Sequence, residues 1–332
     1  MSTAGLVGSA RLIGRAAGLL ASAALLVLVA ATPAPAAPDP IDSTSRASVI
    51  AAYREWLAPT LLVPVGWTGS VAGCDRGTTS SASRAATLSA VNYMRAMADL
   101  DPVTLDRGMS GKAQAAALIM TANGMLDHTP PKSARCWTKA GYAGASHGNL
   151  SIAFGYEGTD GQEPLAPSTG ARAITSYMDD PGGGNEIVGH RRWILYQQLR
   201  RIGTGDTTTA NSLYVIDGYH APSGTTWVPW PTAGYFPREL EPEGRWSLSY
   251  PGADFSKAKV AVTAPDGAVR VTRHRVADGY ADNTLSWDMT LPAGHAAAED
   301  YPVTVAVSGI RLPGGRTVAH RWTTTLVTAS AS

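Results

Sequence analysis

Seven histidines are the side chains most able to move protons or hold a metal near neutral pH: His128, His147, His190, His220, His274, His295 and His320. The last three fall in a strand-rich end and His220 lies beside a proline-rich stretch, positions that read as surface or half-buried structural histidines. His128 follows the helix stop Gly124 and precedes Pro130-Pro131, so a rigid exit from a helix sets its backbone. His190 sits in Gly189-His190-Arg191-Arg192-Trp193-Ile194-Leu195. Two imidazoles converging on one cleft could hold zinc or another divalent ion if oxygen or nitrogen ligands complete the shell. The competing reading is two separate histidines, each satisfied locally, and the chain has neither a His-Glu-x-x-His motif nor a dense ligand cluster. Glu186 lies four residues before His190, which would pair them on one helical face unless the turn after Gly182-Gly183-Gly184 breaks that spacing. No serine is assigned as a nucleophile.

The start of the chain reads as an export signal. Arg11 and Arg15 form a positive n-region, the run Ala16 to Ala31 is apolar and short, and cleavage is expected near Ala34-Pro35-Ala36 or one residue later. A single membrane anchor is the alternative, but the apolar stretch is marginal beside the ~20 residues needed to span a bilayer. The protein is therefore expected to be secreted and extracellular, with no transmembrane helix after cleavage. In an oxidising compartment the only two cysteines, Cys74 and Cys136, most simply form one bridge. Two separate buried thiols are the other reading, because sequence does not show that their backbones come within reach.

The full chain has 332 residues and 44% hydrophobic side chains, so what remains after the signal is long enough for two packed domains, and a net charge of +1 gives no electrostatic pull toward polyanions. Nucleic acid is not an expected partner.

The elements that must position these side chains begin with an apolar stretch from Tyr53 to Trp67, helical no further than about Leu57 because Pro59 restricts the residue before it. Leu88, Val91, Met94 and Met97 recur at helical spacing, which predicts a helix from Ser83 to about Leu100 with Asn92 and Arg95 on other faces. Val103 to Leu105 is a short extended passage. Ser110 is the expected cap of a second helix whose Ala113, Ala116 and Ala117 suit close packing, and Gly124 stops it. A third helix starts near Ser168 or Thr169, packs Ala173, Ile174, Tyr177 and Met178, and ends at Asp179-Asp180-Pro181-Gly182. Leu213 to Ile216 reads as a strand. Prolines and aromatics from Pro222 to Pro237 form a stiff connector. Beyond it the period becomes two, in Val260 and Val262, Val269 and Val271, Leu285 to Met289, Val303 to Val307 and Val318 to Leu326, the pattern of a small β-sandwich.

The order and spacing of several blocks resemble the CAP superfamily, or SCP-like extracellular domain. They are Leu88 to Pro102 with Asn92, Tyr93, Arg95 and Leu100; Gln114 to Leu126 leading into Asp127-His128-Thr129-Pro130; Gly148-Asn149-Leu150; Ala173 to Asp180; and Gly189 to Trp193. The likeness covers approximately Ser80 to Tyr219, and the later part resembles a sandwich-like extension found behind this domain in some bacterial proteins.

The resemblance implies an α+β fold: an α-β-α sandwich with a central, largely antiparallel sheet, followed by a small all-β sandwich domain. The expected organisation is a signal peptide over 1–37, a leader over 38–79, the CAP/SCP-like domain over 80–221, the connector over 222–240 and the β-sandwich-like domain over 241–332. Many members hold a divalent metal between two histidines and two acidic residues. Those histidines fall on His128 and His190, the second acid on Asp179 or Asp180, and the first acid on Gly148, where this chain has no side chain and His147 is the nearest substitute. Arg191-Arg192 stands where the family has Thr-Gln, two positive groups that would repel a metal unless they point away or are neutralised by Asp179 and Asp180. The expected function is a non-enzymatic binding module for an extracellular or cell-envelope lipid, glycan or protein. The alternative is a metal-assisted hydrolase of peptide or ester bonds, with His128 and His190 on the ion and Asp179 or Asp180 as its acid-base partner.

Overall fold

The computed structural model describes residues 41–153, 168–218, 220, 224, 226–293 and 299–330, all within the unit Pro35–Ser332. The expected export signal over 1–37 and His295 lie outside the described residues.

Short polar caps start the helices. Ser45 caps α1 (Arg46–Ala52), which runs through a wider π-helical turn at Tyr53–Leu57 into α2 (Ala58–Thr60). The helical path therefore passes the expected limit at Leu57, because Pro59 sits in the first turn of α2, where its missing N–H costs nothing. Ser80 caps α3 (Ser81–Met97), and the extended passage becomes β1 (Thr104–Leu105). The second helix, α4 (Arg107–Asn123), starts earlier than predicted: Asp106 is its cap, accepting from Met109 N at 2.8 Å, while Ser110 Oγ bonds back to Asp106 O. Gly124 ends it in the left-handed conformation. Then follow α5 (Lys139–Ser146), β2 (Gly148–Ile152), α6 (Gly170–Asp179), α7 (Gly189–Ile194), β3 (Arg201–Asp206) and β4 (Ala210–Tyr214).

These strands form a sheet in the order β1-β3-β4-β2, antiparallel except for the parallel β1/β3 pair. Helix α4 lies almost flush on β3, which is why that strand reads Arg-Ile-Gly-Thr-Gly-Asp. A methyl group at Gly205 would fall 2.1 Å from Gln114 N, inside the helix backbone. Ala116, Met120, Ala145, Leu150 and Ala210 make a small cluster there. Ile202 and Leu213 belong instead to a larger core with α3 and α6, and that core continues into the C-terminal strands through Trp246, Leu248, Val305 and Leu326. Asn92 and Arg95, on other faces of α3 than its apolar stripe, are buried as well. Asn92 exchanges two hydrogen bonds with the Val103 backbone, and Arg95 donates to the carbonyls of Asp101, Ile194, Tyr196 and Leu199.

The C-terminal part is β-rich, with strands β5 (Val228–Trp230), β6 (Gly234–Pro237), β7 (Arg245–Ser249), β8 (Lys259–Ala264), β9 (Gly267–Val269), β10 (Val271–Arg273), β11 (Thr284–Met289), β12 (Tyr301–Arg311) and β13 (Thr317–Val327). They form two sheets, β10-β11-β7-β5 and β6-β13-β12-β8-β9. Val269 and Val271 do not continue one strand: β9 returns along β8, whereas β10 crosses to β11 in the other sheet, with Arg270 between them. The connector aromatics are structural, since Trp230 and Phe236 are fully buried and meet edge to face at 5.0 Å. Cys74 and Cys136 are bridged, closing a separation of 62 residues. Among the described residues no helix is long and apolar enough to cross a membrane.

Candidate functional site

His190 is the most constrained of the histidines. Helix α6 ends at Asp180, whose left-handed backbone (φ 50°) turns a fully buried carboxylate toward α7. One oxygen receives His190 Nδ1 at 2.5 Å and the other accepts from Arg191 N at 3.1 Å. Tyr177, read from sequence only as a packing residue, stacks on the imidazole at 5.1 Å and donates its hydroxyl to Asn211 Oδ1. Asn149 on β2 donates to the His190 carbonyl at 2.9 Å. A carboxylate on Nδ1 places the proton on that nitrogen, leaving Nε2 as the acceptor of the neutral ring. Glu186 is not the partner of His190. The turn ending at Val188 breaks the helical spacing, the Glu186 carbonyl accepts from Ser286, and its carboxylate faces His274 at 3.7 Å.

His128 and His147 gather around α5 but are held separately. His128 is exposed beyond α4 and its Nδ1 meets the Ala145 carbonyl at 2.9 Å. His147 follows the last turn of α5, stacks on Tyr214, and places Nδ1 3.1 Å from Ala143 O and 2.8 Å from Ser146 Oγ. Gly148 is required by packing as well as lacking a ligand: a Cβ there would lie 2.8 Å from Gly144 O and 3.0 Å from Leu213 O, so a glutamate would push the start of β2 off β4.

The expected metal site is therefore corrected. Among the described residues no group of three or more His, Cys, Asp or Glu side chains could hold a metal ion. The physical reason lies in the donor set around His128, His190, His147 and Asp180. Gly148 supplies no carboxylate and Asp180 is spent on His190 Nδ1 and Arg191 N–H, so these residues offer no acidic ligand beside the Nε2 atoms of the histidines. A zinc-like shell needs about four convergent donors, and these residues do not provide it.

The arginines after His190 turn inward as structural ties. Arg191 is buried and donates to Met178 O at 2.6 Å, Arg245 O at 2.9 Å and Ser247 Oγ at 3.0 Å, joining α6 and α7 to β7. Arg192 donates to the carbonyls of Ala277 and Asp282. Burial pushes both guanidiniums down to about 10, so both stay charged at neutral pH. Asp179 and Asp180, adjacent in the chain, serve different places: Asp180 orients His190, while Asp179 lines a separate cavity.

One motif was passed over in the sequence. Gly144-Ala145-Ser146-His147-Gly148 has the Gly-x-Ser-x-Gly spacing of a nucleophile elbow. An elbow needs a strand-turn-helix, whereas this segment runs from α5 into β2, the reverse order. When His147 Nδ1 donates to Ala143 O it carries the proton and cannot take one from Ser146. Asp206 was also missed. It is buried between β3 and α6, where it accepts from the α6 residue Gly170 N at 2.7 Å and from Asn211 at 2.7 Å.

Among curated proteins none matches the chain. Residues 88–228 match the family model described as CAP: Cysteine-rich secretory protein family, and over that stretch the chain is similar to a CAP/SCP-like domain.

Proposed function

We propose that this protein is a secreted, non-enzymatic binding module, with the CAP/SCP-like domain forming an α-β-α sandwich over 80–221. A β-sandwich-like domain over 241–332 follows it as a second contact surface or spacer. One observation carries the reading. The polar groups around His128 and His147 are engaged within the chain, while apolar side chains beside them stand in solvent: Met125 is 47% exposed, Leu126 41% and Tyr142 38%. Two large apolar groups left out of the core at the exit of α4, Met125 and Leu126, with Tyr142 exposed on α5, suit a ligand with an apolar surface. Of the lipid, glycan and protein ligands expected of the domain, an acyl chain or an apolar protein patch fits best.

The test is flotation of the mature chain with phosphatidylcholine/phosphatidylglycerol vesicles, alongside a glycan array and the double variant M125S/L126S. Covering these two side chains is worth about 1.5–3 kcal/mol, so the variant should lose roughly tenfold or more in capture. Capture unchanged by the double variant would refute the reading.

The geometry of His190 favours a second reading, acid-base hydrolysis of an ester or peptide bond. A buried carboxylate on Nδ1 is the arrangement that orients a catalytic base. Turnover of an ester or peptide substrate that disappears in H190A would establish this reading over the first.

A further inference from the structure

A cavity of about 580 Å³, within the usual range for small-ligand sites, opens between α6 and the β10-β11-β7 sheet. Three segments wall it: Asp179, Pro181 and Gly182 after α6; Pro242, Glu243 and Arg245 before and in β7; and Arg270, Thr272, Asp288, Met289 and Thr290 from the β10/β11 ladder. Much of its charge is already paired. Arg245 grips Asp288 through two bonds of 2.8 and 3.0 Å and donates to the carbonyls of Asp180 and Gly182. His274 Nε2 lies 3.1 Å from the same Asp288.

Two carboxylates and one guanidinium remain. Among the described residues no hydrogen bond or ion pair engages the side chains of Asp179, Glu243 or Arg270, although all three line the cavity. Asp179 is part-buried at the cavity wall, so a carboxylate there is poorly hydrated and has no partner hydrogen bond. It is held near the charge of Glu243, and only Arg191, behind it, offsets that repulsion. A ligand ammonium would offset the charge of both acids. Arg270, exposed on the third wall, matches an anion at the other end of such a molecule. Pro181, Pro242 and Met289 supply the apolar surface between them.

We infer that this cavity binds a small zwitterion of the amino-acid or short-peptide class, its ammonium between Asp179 and Glu243 and its carboxylate toward Arg270. The site is independent of the ligand proposed for the α4–α5 surface. It also explains why Arg245 is locked so firmly: the Arg245–Asp288 pair forms a rigid floor that does not compete for the ligand's charges.

Isothermal titration of the mature chain with glycine, glycylglycine, ethylamine and propionate tests it. Saturable binding of a zwitterion, weaker binding of ethylamine and none of propionate are expected. The tighter of glycine and glycylglycine identifies a free amino acid or a short free peptide as the source. D179N should weaken the zwitterion about tenfold or more, with smaller losses in E243Q and R270Q, because removing one partner of a poorly solvated charge pair costs well over a factor of ten. E243Q and R270Q alter exposed side chains and keep the test open should D179N change the fold. The inference is overturned if neither zwitterion saturates, if propionate binds as well as ethylamine, or if binding survives all three substitutions.

Discussion

Asp179→Asn should stabilise the protein at alkaline pH and do nothing in acid. Burial is the main cause that raises the Asp179 carboxyl from 3.8 to about 7. Glu243, Glu241 and Asp180 add to the shift, and Arg191 opposes it. A carboxyl whose folded value lies above its unfolded value binds its proton more tightly in the folded state. Its contribution to stability is therefore best below about pH 4, where both states are protonated, and worsens through pH 7 as the buried group is forced to ionise. The span of about three units corresponds to a ceiling of about 4 kcal/mol at pH 8. Because the group borders an open cavity, water screens part of that cost, and about 2 kcal/mol is the expected gain. Asparagine keeps the shape and removes the charge. Urea unfolding of both proteins with the disulfide intact, between pH 4 and pH 8.5, should show a difference near zero at the acid end that grows through pH 5–7 and levels off above. Comparing variant with wild type cancels carboxylates such as Asp288 and Asp254, which are shifted downward and have the opposite slope. A difference independent of pH, or a variant less stable at pH 8, would refute the argument.

Arg191→Met should cost about 3–5 kcal/mol in chemical denaturation, because it strands the acceptors of a buried guanidinium on α6 and β7, and Arg191→Lys should not restore them. Cys74→Ser with Cys136→Ser should lower stability by about 4 kcal/mol, the loop-closure contribution for a 62-residue separation, and an equal stability in reduced and oxidised protein would contradict this. Gly205→Ala should lower the unfolding midpoint by the equivalent of about 1–3 kcal/mol, since its methyl group would meet the α4 backbone and not a movable side chain.

Much of the local structure could be read from residue order. The Leu88–Met97 spacing located α3, Gly124 ended α4, Asp179-Asp180 ended α6, and the alternating valines marked β8 and β12, because these depend on period and backbone preference alone. Caps were less legible. Asp106 and Ser110 are both competent, and only the direction of the chain leaving β1 selects the aspartate. Arg95, Asn92 and Arg191 show the other limit. A polar residue in an apolar helix looks outward-facing unless one knows that a distant loop brings unpaired carbonyls to it.

The candidate site divides the same way. Sequence alone determined that Gly148 removes a carboxylate and that Cys74 has one possible partner, since these follow from side-chain chemistry and cysteine count. Tertiary structure decided that Asp180 and not Glu186 holds His190, that His128 and His147 face carbonyls, that the paired arginines tie α7 to β7 and the 277–282 segment, and that Asp179 faces a cavity. Such outcomes depend on which groups meet across tens of residues, and a chain's own order does not specify where its buried charges find their partners.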